Sequence, residues 1–115
     1  MNLAEKFALF SDHWSPKIVG AFNEFHIKAA NLKGEFVWHS HAGTDELFLL
    51  TKGSLVIHMR DGAATVNADE YVVPRGVEHM PVAEHECEVL LIEPAGTLNT
   101  GDAGGARTVT AEPWL

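Results

Sequence analysis

His39 and His41 stand two positions apart in the stretch GEFVWHSHAGTDELFLLTKG, residues 34–53. On an extended chain, side chains at i and i+2 leave the same face, so both imidazoles look one way. Ala42-Gly43-Thr44-Asp45 then makes a turn, and Glu46 opens a second apolar run, Leu47-Phe48-Leu49-Leu50. A carboxylate at the start of that run can swing back toward the two imidazoles. Two nitrogens and one oxygen held on a rigid sheet suit a divalent transition metal. A fourth candidate follows at His79, where Pro74 and Gly76 turn the chain after a short strand.

The two stretches resemble the paired motifs of the cupin superfamily. The first family motif is Gly, then His-x-His, three or four residues, Glu, six residues and Gly. Here His39 and His41 are followed by four residues to Glu46 and six more to Gly53. The second motif ends in Pro-x-Gly, two residues, His, three residues and Asn, and the chain supplies Pro74, Gly76 and His79 at that spacing. Gly34 stands one residue nearer the histidines than the usual opening glycine. Ala68 replaces the second motif's glycine and Ala83 its final Asn. None of these three positions holds a metal in the family. The resemblance covers roughly residues 25 to 96. It implies an all-β fold, a cupin jelly-roll barrel, with His39, His41, Glu46 and His79 as ligands of one divalent ion.

Three imidazoles and a carboxylate leave one or two positions of a five- or six-coordinate ion open, as a working site requires. Fe, Mn, Ni, Cu and Zn all accept this donor set, and ligand type alone does not choose among them. Such an ion can bring substrate and dioxygen together, hold an enediolate or activate water. The resemblance implies the same range: dioxygenases, isomerases, lyases and non-enzymatic binders. Two readings follow. One is a metal-dependent enzyme acting on a small organic molecule, with dioxygenase-like oxidoreductase chemistry ahead of isomerase or lyase chemistry. The alternative is a non-catalytic, metal-containing module that binds or senses a small ligand. A zinc hydrolase of the metallo-β-lactamase type is excluded, because Ala42-Gly43 follows the His pair where that site needs Asp-His. No basic cluster for a phosphate lies near the motifs, Arg75 being the one guanidinium close by.

A net charge of −8 disfavours nucleic acid and acidic membrane surfaces as partners. At 115 residues, 46% of them hydrophobic, the chain reads as one domain, with a core barrel over about 17–96 and an irregular tail over 97–115. No apolar run is long enough to span a bilayer and no signal peptide is evident, so a cytoplasmic protein is expected. Cys87 lies in an apolar run and reads as a core residue.

Asn2 caps a short helix within residues 2–10 that presents Leu3, Phe7 and Phe10 on one face. Strands are predicted over 17–22 and 25–32, with Lys33-Gly34 turning the chain into a strand that carries the histidines. Alternation predicts further strands over 54–60, 63–66 and 70–73. Two more are predicted over 78–82 and 88–92, split by a polar loop at Glu84-His85-Glu86. Eight or more short strands are expected.

Phe48 shares the face of Glu46 and is the expected apolar wall of a substrate pocket. His26 and Lys28 join it if Lys33-Gly34 closes a two-residue hairpin, which would set them opposite His41 and His39. His13, His58 and His85 read as surface groups. Trp14, Phe36, Trp38 and Trp114 are expected outside the ligand face, covering edge strands in a homodimer.

Overall fold

The computed structural model describes residues 2–115. A helix α1 (Leu3–Phe7) precedes seven strands among the described residues: β1 (Lys17–Phe22), β2 (Phe25–Glu35), β3 (Glu46–Lys52), β4 (Ser54–Met59), β5 (Gly62–Asn67), β6 (Glu70–Val73) and β7 (His79–Pro94). All pairings between these strands are antiparallel. This is the all-β barrel with an outlying N-terminal helix that the sequence led us to expect. Asn2 accepts a hydrogen bond from the Glu5 amide at 3.1 Å, and the helix stops at Phe7, short of the predicted end.

β7 organises the sheet. One of its edges pairs with β2 from Phe25↔Pro94 to Glu35↔Val82. Its other edge pairs with β4 near His79–Val82 and with β3 near Glu88–Ile92. The two separate strands predicted over 78–82 and 88–92 are therefore one, and Glu84-His85-Glu86 is no loop. Its exposed side chains lie in β7 where the strand leaves β4 for β3. Nor does Lys33-Gly34 end a strand: β2 runs on to Glu35 through a register shift between Leu32 and Gly34. Pairing along both edges of β7 overrides the local turn signals at each place.

Period-two alternation sorts the side chains into two layers. Leu32, Phe48, Leu50, Leu55, Ile57, Val73, Cys87 and Val89 fill the barrel interior. On the outer face Val19, Ala29 and Leu90 pack against Phe7, with Leu3 and Phe10 beside them. The pattern has one irregularity: positions that face the interior also carry Lys28, Glu46, His79 and Glu93, all buried.

Ala68, at the turn between β5 and β6, has φ of 43°. A β-carbon there costs about 1–2 kcal/mol, while glycine adds roughly 0.4–1 kcal/mol of unfolded-state entropy. Ala68→Gly should therefore stabilise the protein slightly, by roughly 0.5 kcal/mol, read as a raised urea midpoint. A lowered midpoint would contradict the strain.

Candidate metal centre

The histidine-bearing segment is not the strand its alternation suggests. Between β2 and β3 the backbone makes an isolated antiparallel bridge, His39↔His79. The His39 amide donates to the His79 carbonyl at 3.0 Å, and the His79 amide donates back at 2.9 Å. Phe36 N donates to Pro81 O at 3.0 Å, and Gly76 N to His41 O at 2.9 Å, so the segment is sewn to β7 and to the turn preceding it. The result is the convergence expected from a strand, reached by pairing the first motif with the second.

Each bridging imidazole is oriented by its own backbone. His39 Nδ1 lies 2.9 Å from Val37 O, and His79 Nδ1 lies 3.0 Å from Val77 O. A carbonyl accepts only, so Nδ1 carries the proton and Nε2 keeps its lone pair, a common way of presenting a metal-ligating histidine. The Nε2 atoms of His39, His41 and His79 are all buried and unpartnered. His41 Nε2 touches the Glu46 carboxylate without hydrogen-bond geometry, while His79 Nε2 lies 3.9 Å from Glu46 Oε1. One donor atom from each of the four residues lies within 4.8 Å of the others. The cluster could hold a metal ion, and its donor set fits one: three imidazole nitrogens and one carboxylate oxygen.

Burial and mutual charge set the titration of these groups when no ion is bound. Burial drives the His39 pKa down to about 4, with His79 and His41 adding to the fall. Burial also disfavours the charged form of His41, but the adjoining Glu46 carboxylate outweighs it and the pKa is raised. Burial likewise pushes Glu46 up, yet His41 and His79 prevail and hold the carboxyl well below its ordinary value.

A cavity of about 30 Å³ adjoins the cluster, with room for one or two waters. It is lined by His39, Glu46, Phe48, Trp14, Phe36 and Asn99, with Ala30, Leu32, Leu91, Pro16 and Pro81 completing the wall. Phe48, expected on the face of Glu46, lies here with its ring centroid 6.3 Å from that of His79. Trp14 and Phe36 are corrected. Instead of facing a partner they stack on one another at 4.7 Å and wall the cavity. The Trp14 indole is fixed by a 2.8 Å bond to Lys33 O.

His26 and Lys28 do not line this cavity. β2 pairs with β1 and β7, not with the histidine segment, so the hairpin that would place them opposite His41 and His39 does not form. Lys28 is fully buried and its ammonium is committed, at 2.9 Å to Glu93, 2.6 Å to Glu112 and 3.2 Å to Thr97 O. The His26 ring packs edge-on against Trp114, centroids 5.3 Å apart. Tyr71 points its hydroxyl to Met59 Sδ at 3.5 Å. Outside the cluster, His58 is half-buried, His85 exposed, and His13 bonds Glu86 at 2.6 Å.

Glu93 was missed. It occupies the inward parity of Cys87, Val89 and Leu91, a signal present in the sequence. Burial pushes its pKa up to about 7, the Glu46 charge pushes the same way, and Lys28 opposes both.

Comparison with known proteins agrees with this architecture. A cupin-2 domain containing protein from Shewanella frigidimarina NCIMB 400 matches 82% of this chain and 93% of its own, at 46% identity and a TM-score of 0.81. The chain belongs to the cupin superfamily, with the small cupin-2 domain proteins. The uncharacterized protein YdbB of Bacillus subtilis (strain 168) is 32% identical over 80 residues, 68% of this chain. The chain spans 65% of that curated relative's length. The fold is also that of hydroquinone 1,2-dioxygenase PnpCD, solved with Cd2+ and 4-hydroxybenzonitrile. That structure is 14% identical, with a TM-score of 0.68 over 79% of this chain and 70% of its own. No protein-family model matches the chain.

The shifts fix a pH dependence for protein stripped of metal. Because His39 is held neutral, the unfolded chain binds more protons than the folded one between pH 6.5 and about 4. Taken alone, this lowers stability across that window by on the order of 3 kcal/mol. Depression of Glu46 extends the loss below the ordinary carboxylate range. Raised His41 acts oppositely, its contribution being complete below pH 6.5 and lost as pH climbs through the raised value. Glu93, raised to about 7, opposes this, because its folded form takes up a proton first and gains stability as pH falls from about 7 toward the ordinary carboxylate value. The His39 contribution is therefore read as a difference: the urea midpoint of His39→Gln should rise relative to that of the wild type as pH falls from 6.5 to about 4. A difference between the two proteins that stays constant over that range would contradict the assignment.

Proposed function

We propose that this chain is a cytoplasmic, metal-dependent enzyme acting on a small uncharged organic molecule, with His39, His41, Glu46 and His79 holding one divalent ion. The observation that carries this reading is the set of three buried, unpartnered imidazole nitrogens meeting one carboxylate. Burying lone pairs without partners is costly, and an ion at their meeting point would satisfy them together. When bound, the ion would supply a Lewis acid with open positions and, for Fe, Mn, Ni or Cu, a redox centre.

The residues around it favour oxygenase chemistry over isomerase or lyase chemistry. Those two reactions need a side chain to move a proton at the substrate. Apart from His39 and Glu46, the cavity lining is apolar except for Asn99, which cannot act as acid or base. Lys28 is saturated by its acceptors, while His26 and Tyr71 point elsewhere. Trp14, Phe36 and Phe48 would bind an apolar or aromatic molecule and exclude water. The fold shared with a hydroquinone dioxygenase supports the same choice. A metal-containing binding module is the second reading, favoured by that same lack of a free acid or base.

Self-association belongs to the proposal. Phe22, Val72 and Trp114 stand 49%, 49% and 60% exposed, and a homodimer covering such residues should appear by light scattering at micromolar concentration.

Elemental analysis of purified protein should give one divalent ion per chain. Changing His39, His41 or His79 to Ala should reduce occupancy at least tenfold, through loss of a strong donor. His58→Ala and His85→Ala should leave it unchanged. Oxygen uptake with a panel of small phenols then separates the enzyme from the binder, since a binder consumes none.

A further inference from the structure

Residues 95–115 contribute no strand to the barrel, yet they cover the end where the four donor side chains meet. Ser40, between the two histidines, donates its amide to Asp102 Oδ1 at 2.8 Å, and its carbonyl accepts from Asp102 N at 3.1 Å. Gly101, at φ of +53°, approaches so closely that a β-carbon there would lie 2.2 Å from Ser40 O and 3.2 Å from His41 Nδ1. Buried Asn99 closes the cavity wall, its Nδ2 donating to Arg107 O at 2.8 Å and its Oδ1 accepting from Val109 N at 2.9 Å. Further along, Pro113 O accepts from Ile18 N at 2.8 Å, and Leu115 N donates to Ile18 O at 2.9 Å.

Space is divided unevenly across this segment. Inside lies the cavity of about 30 Å³. Outside lies a groove of about 490 Å³ between Ser40–Thr44 and Pro94–Leu98, with Gly101 and Asp102 on its border. Anything larger than a water or two reaches the His39 face only if part of the cavity wall moves, and Asn99 brings residues 97–115 into that wall.

One contact is built to release. Glu112 sits between exposed Ala111 and Pro113, but its side chain enters the barrel and is only 10% exposed. Its Oε1 lies 2.6 Å from Lys28 Nζ, while its Oε2 is buried with no partner. Withdrawing Glu112 returns both oxygens to water. Lys28 is left with Glu93 of β7, so opening does not strand a bare charge in the core.

We propose that residues 97–115 are a strap that controls entry to the donor cluster, with the Glu112–Lys28 ion pair as its latch. What the strap admits rests on the metal reading above, whereas its motion does not, and the test separates the two. In Glu112→Gln, hydrogen exchange at the Asp102 and Leu115 amides should speed up about tenfold, from loss of one charge-assisted contact. The Phe48 and Leu90 amides within the sheet should not change.

On protein loaded with Zn2+, EDTA should extract the ion about tenfold faster from Glu112→Gln at unchanged stoichiometry. A disulfide across Ser40→Cys and Asp102→Cys should slow extraction until a reductant is added. Cys87 is fully buried, with its thiol pKa raised to about 11 by burial, and should not compete for that bridge. Unchanged exchange at Asp102 and Leu115, or equal acceleration at Phe48 and Leu90, would overturn the latch. Faster amide exchange with unaltered Zn2+ extraction would overturn the control of entry. Failure to take up Zn2+ at all would overturn the metal reading, with amide exchange still deciding whether the strap moves.

Discussion

The structure depends on a reciprocal pair of backbone hydrogen bonds between His39 and His79. They join the two motifs at one point of the barrel and set two imidazoles side by side, ring centroids 4.2 Å apart and planes tilted by 48°. Each ring is then fixed by the carbonyl two residues before it. Rotating either ring would bury an unpaired Nδ1–H and strand a carbonyl, costing about 1–3 kcal/mol for each buried group left unmade. The orientation of Nε2 is therefore decided by the backbone before any ion is considered.

Everything else holds that bridge in place. β7 starts at His79 and ends past Glu93, so a single strand carries both the innermost imidazole and the carboxylate that binds Lys28. β3 brings Glu46 in through the same alternation that buries Phe48 and Leu50. Hydrophobic burial along these strands supplies the stability against which the polar cluster is held. The stack of Trp14 on Phe36 seals one side of the cluster, and Gly101 against Ser40 seals the other.

Much of this was legible in the sequence. Motif spacing picked out the four residues that the fold brings into one cluster, and strand parity placed Phe48 beside Glu46. Where the reading failed, long-range pairing had overruled local pattern. Glu84-His85-Glu86 looked like a loop because three polar residues interrupt an apolar run, yet β7 runs through them between one neighbouring strand and the next. Trp14 is an aromatic residue outside the ligand motifs and so read as an edge cover, but the indole needs only Lys33 O to become an interior wall. Glu112 carries no periodic signal at all, because the segment it belongs to has no regular structure.

The charges inside the barrel give an independent constraint. Lys28 is the one cation fully buried there, facing Glu93 and Glu112, while Glu46 lies buried among three imidazoles. Three carboxylates against one ammonium leave two negative charges in excess, in a medium where isolated charge is costly. Proton uptake relieves some of this, as the raised values of Glu93 and His41 indicate. A divalent ion among His39, His41, Glu46 and His79 would bring the same set to neutrality with every carboxylate ionised. On this view Lys28 and its two carboxylates are not spare catalytic groups. They are part of an electrostatic frame whose excess negative charge a divalent ion in the cluster would balance.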